Sequence, residues 1–247
     1  MRTPGVVLIA CALALPASAS QAPARQPAPT RKAPPSPPAS IGDLEAAVKR
    51  DPGNPKLLVA LGLAYWDQNE EEKALESFRT AVKVAPRSAE AHNWLGVALS
   101  GKADLPNAIA ELKKAVELDP KYGRAYTNLG AALAKSGDFT AAVGAFQKAL
   151  ALEPNNLAAH TNLGLALREK GDLDAALVHL RRVADRDPDN AAIQYELGQT
   201  FRQKGDLAEA VTTLERALEL DPEMREGYYA LGMALKQQGA VTRKAAP

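Results

Sequence analysis

Apolar and small residues recur along this chain at one fixed interval. Leucine followed by glycine stands at Leu61-Gly62, Leu95-Gly96, Leu129-Gly130, Leu163-Gly164, Leu197-Gly198 and Leu231-Gly232, and proline stands at 52, 86, 120, 154, 188 and 222; every step is 34 residues. A period of that size is the mark of a stacked array, in which each unit buries its apolar face against its neighbours. The pattern predicts helix–turn–helix units over 55–88, 89–122, 123–156, 157–190 and 191–224. A half unit precedes them at 41–50, where Leu44, Ala47 and Val48 fall on the second-helix positions that later carry Phe or Leu, Ala, and Val or Leu. Another half unit, a first-type helix over 225–238, follows them.

The punctuation inside each unit has physical causes. Asn54-Pro55 sets a capping side chain before a proline at the first helical position, where the missing amide hydrogen costs nothing, and Ser88, Asn156 and Asn190 take the same capping place. Gly137, Gly171 and Gly205 are expected to end the first helix, with Asp138, Asp172 and Asp206 capping the second. Asn69 and Ala103 replace that glycine in the first two units, and alanine is poorly suited to a left-handed turn. A glycine inside a helix costs about 1 kcal/mol against alanine. Its presence in all six first helices predicts that a second helix presses on the backbone there, with Ala74, Ala108, Ala142, Ala176 and Ala210 as the small residues facing it.

These residues, taken together, resemble the tetratricopeptide repeat over about Ser40 to Gly239. The resemblance implies an all-α fold, a right-handed α-solenoid of five full repeats with a half repeat at each end. It also implies a concave groove lined by the first helices, which receives a peptide or helix of a partner protein. By register the groove positions are Val59, Asn93, Thr127, Thr161, Tyr195 and Tyr229 in one row, and Leu63, Val97, Ala131, Leu165, Gln199 and Met233 in a second. Asn128 and Asn162 share one further place, which Trp94 takes in the second repeat, and Trp66 lies a turn beyond the row in the first. Arg168, Arg202 and Lys236, again 34 apart, form a cationic edge suited to an acidic peptide or glycan, or simply to the negative end of each helix dipole. Some family members grip chaperone C-termini through a carboxylate clamp. Its places here hold Val59, Leu63, Trp94, Arg124 and Asn128, or, one repeat later, Asn93, Val97, Asn128, Ala158 and Asn162. Neither set supplies the clamp.

The N-terminal segment alters the expected setting. Met1-Arg2, the apolar run 5–15 and Ala17-Ser18-Ala19 read as a secretory signal over residues 1–19, too short to span a bilayer. Residues 20–39 carry seven prolines and read as an extended linker, with a short tail over 240–247 after the array. Leu8-Ile9-Ala10-Cys11 also resembles a lipobox, so Cys11 is either a lipid anchor or is lost with the signal. In the second case no thiol or disulfide remains.

Charge and motifs exclude several function classes. The net charge of +1 at pH 7 includes an N-terminal segment with four cations and no acid, so nothing resembles the basic face that nucleic acid requires. There is no hydrolase, phosphate-loop or metalloprotease motif, and His92, His160 and His179 read as structural rather than metal-binding. The expectation is a non-enzymatic, exported interaction scaffold, periplasmic or extracellular, without cofactor or metal, binding a protein or peptide. The alternative is an envelope-structural or acidic-glycan-binding module.

Overall fold

The computed structural model describes residues 40–245, with side chains described through Val241. The expected signal, linker and Cys11 lie outside the described residues. Among those residues the chain forms twelve α-helices and divides into two compact units, 40–120 and 121–245. The first unit holds α1 (Ile41–Arg50), α2 (Pro55–Asp67), α3 (Glu71–Val84), α4 (Ala89–Gly101) and α5 (Leu105–Leu118). The second holds α6 (Gly123–Lys135), α7 (Phe139–Leu152), α8 (Leu157–Lys170), α9 (Leu173–Ala184), α10 (Ala191–Lys204), α11 (Leu207–Leu220) and α12 (Arg225–Ala245). In each unit the helices pair as first and second members, and each second helix also packs on the next first helix, as in α3 on α4 and α7 on α8. This is an all-α array of helix pairs, of the kind the 34-residue period predicts.

The cores show why that period exists. In the first unit Phe78 is fully buried. Trp94 stacks on it with ring centroids 6.3 Å apart, and Trp66 tilts against it at 6.4 Å. Both tryptophans therefore serve packing between helices. A Cβ placed on Gly62 would lie 2.5 Å from the Phe78 ring, and one on Gly96 would lie 2.5 Å from Leu112 Cγ. In the second unit the corresponding approaches are 2.6 Å for Gly130 to Phe146, 2.8 Å for Gly164 to Leu180 and 2.5 Å for Gly198 to Leu214. The five alanines at the small positions are all fully buried. The atoms nearest the glycines, however, belong to the Phe or Leu four residues after each alanine, with the carbonyls of Ala108 and Ala176 close behind at 3.1 and 3.3 Å. The sixth glycine differs: among the described residues nothing lies within 4 Å of a Cβ on Gly232.

The helix ends follow the expected chemistry with three departures. Ser40 closes a capping box with Asp43, and Asn54, Ser88, Asn156 and Asn190 each accept a first-turn amide. Asp138 and Asp172 cap as predicted. Asp206 makes no such bond, because its carboxylate instead faces Lys204 Nζ at 2.9 Å. Gly137, Gly171 and Gly205 have φ of 87°, 86° and 94°, while Asn69 and Ala103 adopt the same left-handed turn at 58° and 60°. For Ala103 that conformation costs roughly 1–2 kcal/mol. The third departure is α12, which runs on to Ala245 instead of stopping near Gln238. Gly239 stands at the turn position, and Ala240 stands where Asp138 and Asp172 cap the next helix.

Candidate partner-binding surface

The first predicted row splits into a closed part and an open part. Val59, Asn93, Thr127 and Thr161 are buried, as are Trp94, Asn128 and Asn162 beside them. The first helices of successive repeats touch within each unit, α2 with α4, α6 with α8 and α8 with α10, so this row lies in the seam between them. Thr127 and Thr161 turn their hydroxyls back onto their own helices, onto the carbonyls of Gly123 at 3.3 Å and Leu157 at 3.0 Å. The second row is shallower: Leu63, Val97 and Ala131 are half-buried, whereas Leu165 is fully covered.

The polar and most exposed positions lie on α10 and α12 of the second unit. Gln199 Nε2 donates to the Tyr195 hydroxyl at 2.9 Å, and Arg202 Nε donates to Gln199 Oε1 at 3.0 Å, which fixes three polar side chains along one helix face. On α12, the helix beside α10, Met233 is half-buried, Lys236 is exposed and Tyr229 is 74% exposed. Tyr195 and Tyr229 thus occupy touching helices, the first held by a hydrogen bond and the second open to solvent.

The cationic edge is not uniform. Arg168 Nη1 donates to Glu196 Oε2 at 2.5 Å across α8 and α10, with the two side chains only 12% and 10% exposed. Glu169 lies 3.6 Å from Arg168 Nε. Arg168 is therefore neutralised within the fold, Arg202 is engaged by Gln199, and Lys236 stands in solvent. Glu196 was not among the expected site residues. It occupies the place of Asn128 and Asn162 one repeat on, so the 34-residue register was the signal that could have found it.

The histidines pair within repeats. His92 Nε2 donates to the Pro86 carbonyl at 2.9 Å while its Nδ1 faces Glu111 Oε2 at 2.5 Å. Two repeats later His160 Nε2 donates to the Pro154 carbonyl at 3.1 Å, and its Nδ1 meets Nδ1 of His179 at 2.9 Å. His179 stands where Glu111 stands, so the same geometry joins two imidazoles. Burial pushes both below the ordinary imidazole value; for His179 the neighbouring His160 and then Arg182 act in the same direction, and Arg182 adds to the effect on His160. The unfolded chain therefore takes up protons first as pH falls. The stability contributed by this site is complete above the ordinary value of 6.5 and is lost progressively below it. The melting temperature of the second unit is expected to fall between about pH 7 and about pH 5. His179→Glu, which copies the His92 arrangement, is expected to remove that fall; thermal melts of both proteins across the range check it. Among the described residues no cluster of three or more histidine, cysteine or acidic side chains is placed to hold a metal, and no helix is long and apolar enough to cross a membrane.

Comparison with known proteins agrees with the repeat fold. No curated protein matches the chain by sequence. The chain is similar in structure to YrrB, described as a TPR protein with an unusual peptide-binding site, at 24% identity and a TM-score of 0.65 over 77% of this chain and 98% of that one. It is similar to PilW, a widely conserved type IV pilus biogenesis factor, at 26% identity and 0.69 over 78% and 88%. MamA matches at 30% identity and 0.54 over 62% and 89%. The family model for the tetratricopeptide repeat matches residues 36–81, 59–123, 127–191, 161–223 and 195–246, and the chain belongs to that family.

Proposed function

We propose that this protein is an exported interaction scaffold that receives a segment of a partner protein on the surface formed by α10 and α12. The observation that carries the reading is the distribution of access. Most of the first predicted row is sealed in helix seams, whereas Tyr195, Gln199, Arg202, Tyr229, Met233 and Lys236 are half-buried or exposed. Tyrosine there offers broad amphipathic contact with little rotamer entropy to lose, and the Tyr195–Gln199–Arg202 chain presents polar atoms already held in place. The likeness to YrrB and PilW supports a peptide-binding or assembly role for the same fold. Export is supported by the charged start, apolar run and Ala17-Ser18-Ala19 site, with 20–39 as a tether. Arg168 paired to Glu196 weighs against an acidic-glycan site, because such a site needs free cations along that edge.

Photo-crosslinking from positions 195 and 229 in the native host tests this, with the exposed Gln147 as control. A discrete partner protein captured from both positions and not from the control is expected, resistant to raised salt. Capture of glycan alone, released steeply by salt, overturns the reading in favour of the polymer-binding one. Mass spectrometry of the same material reads the N-terminus: a mature chain starting near Ser20 is expected, and a chain retaining Met1 overturns export.

A further inference from the structure

The two half repeats are complementary. α1 has the pattern of a second helix, since Ser40, Leu44 and Ala47 stand 34 residues before Ala74, Phe78 and Ala81, all three of which are fully buried against their neighbours. By register the first helix of that repeat would fall on residues 21–34, outside the described residues. Leu44 remains only partly buried. α12 has the pattern of a first helix, with Tyr228, Gly232 and Leu235 placed 34 residues after Gln194, Gly198 and Phe201. In the preceding repeat Gly198 is met by Leu214 and Phe201 is buried. On α12, among the described residues, nothing lies within 4 Å of a Cβ on Gly232, and Tyr228 and Leu235 are 56% and 47% exposed. The residues that would turn into a second helix continue α12 instead.

We propose that α1 of one copy docks on α12 of another as its missing second helix, so that Leu44 fills the space over Gly232 and two half repeats become one complete repeat. Three features fit this occupant. Leucine is the residue that covers the glycine in three of the five full repeats, and the small Ser40 and Ala47 meet the close approach needed on either side. Helix pairs within a repeat run antiparallel. That sets the basic end of α1, Lys49 and Arg50, beside Glu223 and Glu226 at the start of α12. Each of these charges is exposed in the single chain. Finally, Tyr228 and Asp43 occupy the positions of His92 and Glu111, which are in contact within one repeat, so the Tyr228 hydroxyl meets a carboxylate acceptor in the docked pair.

The contact is head to tail, joining two different surfaces, and therefore propagates from copy to copy. It leaves the proposed partner surface open, because Tyr229, Met233 and Lys236 lie about 100° around α12 from Tyr228, Gly232 and Leu235.

The test uses the full chain with Cys11→Ser. Asp43→Cys and Tyr228→Cys are prepared as separate variants and oxidised alone and mixed. A disulfide-linked pair of chains is expected in the mixture only, and sedimentation velocity of the parent is expected to show self-association rising with concentration. Gly232→Leu occupies the seat from within. It is expected to weaken self-association at least about tenfold while leaving the melting temperature of the dilute chain undiminished. A chain that sediments as a monomer at every concentration, a Tyr228→Cys variant that crosslinks to itself, or a Gly232→Leu variant that associates like the parent would each overturn the proposal.

Discussion

Gly130→Leu is expected to destabilise the second unit by at least ~3 kcal/mol, the upper end of the usual cost of overpacking a core. The first carbon of any side chain at this position already falls 2.6, 2.7 and 2.8 Å from three carbons of the Phe146 ring. Ordinary contact needs about 3.5–4.0 Å, so the ring must move before the rest of the leucine is accommodated at all. It has no easy direction to move in, because Phe146 is fully buried and fully buried Ala142 and Ala149 lie one turn to either side on α7. Replacing glycine in a helix regains about 1 kcal/mol of propensity, which offsets only part of that loss. Stacked repeats can open unit by unit, so the readout is hydrogen exchange of α6 and α7 beside a urea titration of the whole chain. Two controls isolate the cause. Adding Phe146→Ala to Gly130→Leu should cost less than the two single changes summed, since the cavity receives the inserted side chain. The equivalent change at Gly232, where no neighbour waits among the described residues, should cost nothing. Wild-type protection in Gly130→Leu would overturn the packing account of the 34-residue period.

The helices were legible in the sequence because punctuation there is local. Proline, glycine and capping side chains act within a turn of where they stand, and their spacing located the helix pairs. What involved two helices at once was less legible. The glycines announced a close approach, but the approaching atoms belong to Phe78, Leu112, Phe146, Leu180 and Leu214, four residues past the alanines that a small-on-small argument selects. Register assigned Val59, Asn93, Thr127 and Thr161 to one row of the first helices. It could not say how closely neighbouring first helices approach, and that approach buries them. His160 with His179 and Arg168 with Glu196 join residues 19 and 28 apart in the chain, beyond the reach of any motif. The length of α12 was misjudged because Gly239, which stands where Gly137, Gly171 and Gly205 end their helices, does not end this one.

Arg168→Met is expected to cost ~3–5 kcal/mol of stability, the usual penalty for removing one member of a buried pair. The loss is chiefly the desolvation of the group left behind: the Glu196 carboxylate, 10% exposed, would have no cation opposite it. Glu196→Leu should cost less, because Arg168 keeps Glu169 at 3.6 Å and reaches solvent more readily by its length. Arg168→Met together with Glu196→Leu removes both charges, and replacing a buried pair by apolar side chains is often neutral, so the double variant should recover most of the loss. Urea unfolding of the four proteins closes this cycle. The result also bears on function. If Arg168 serves the fold, its removal weakens the chain whether or not a partner is present, and the double variant still captures that partner through Tyr195 and Tyr229. If Arg168 instead meets a ligand's acid, the double variant would be stable and unable to bind, which would return the cationic edge to the binding surface.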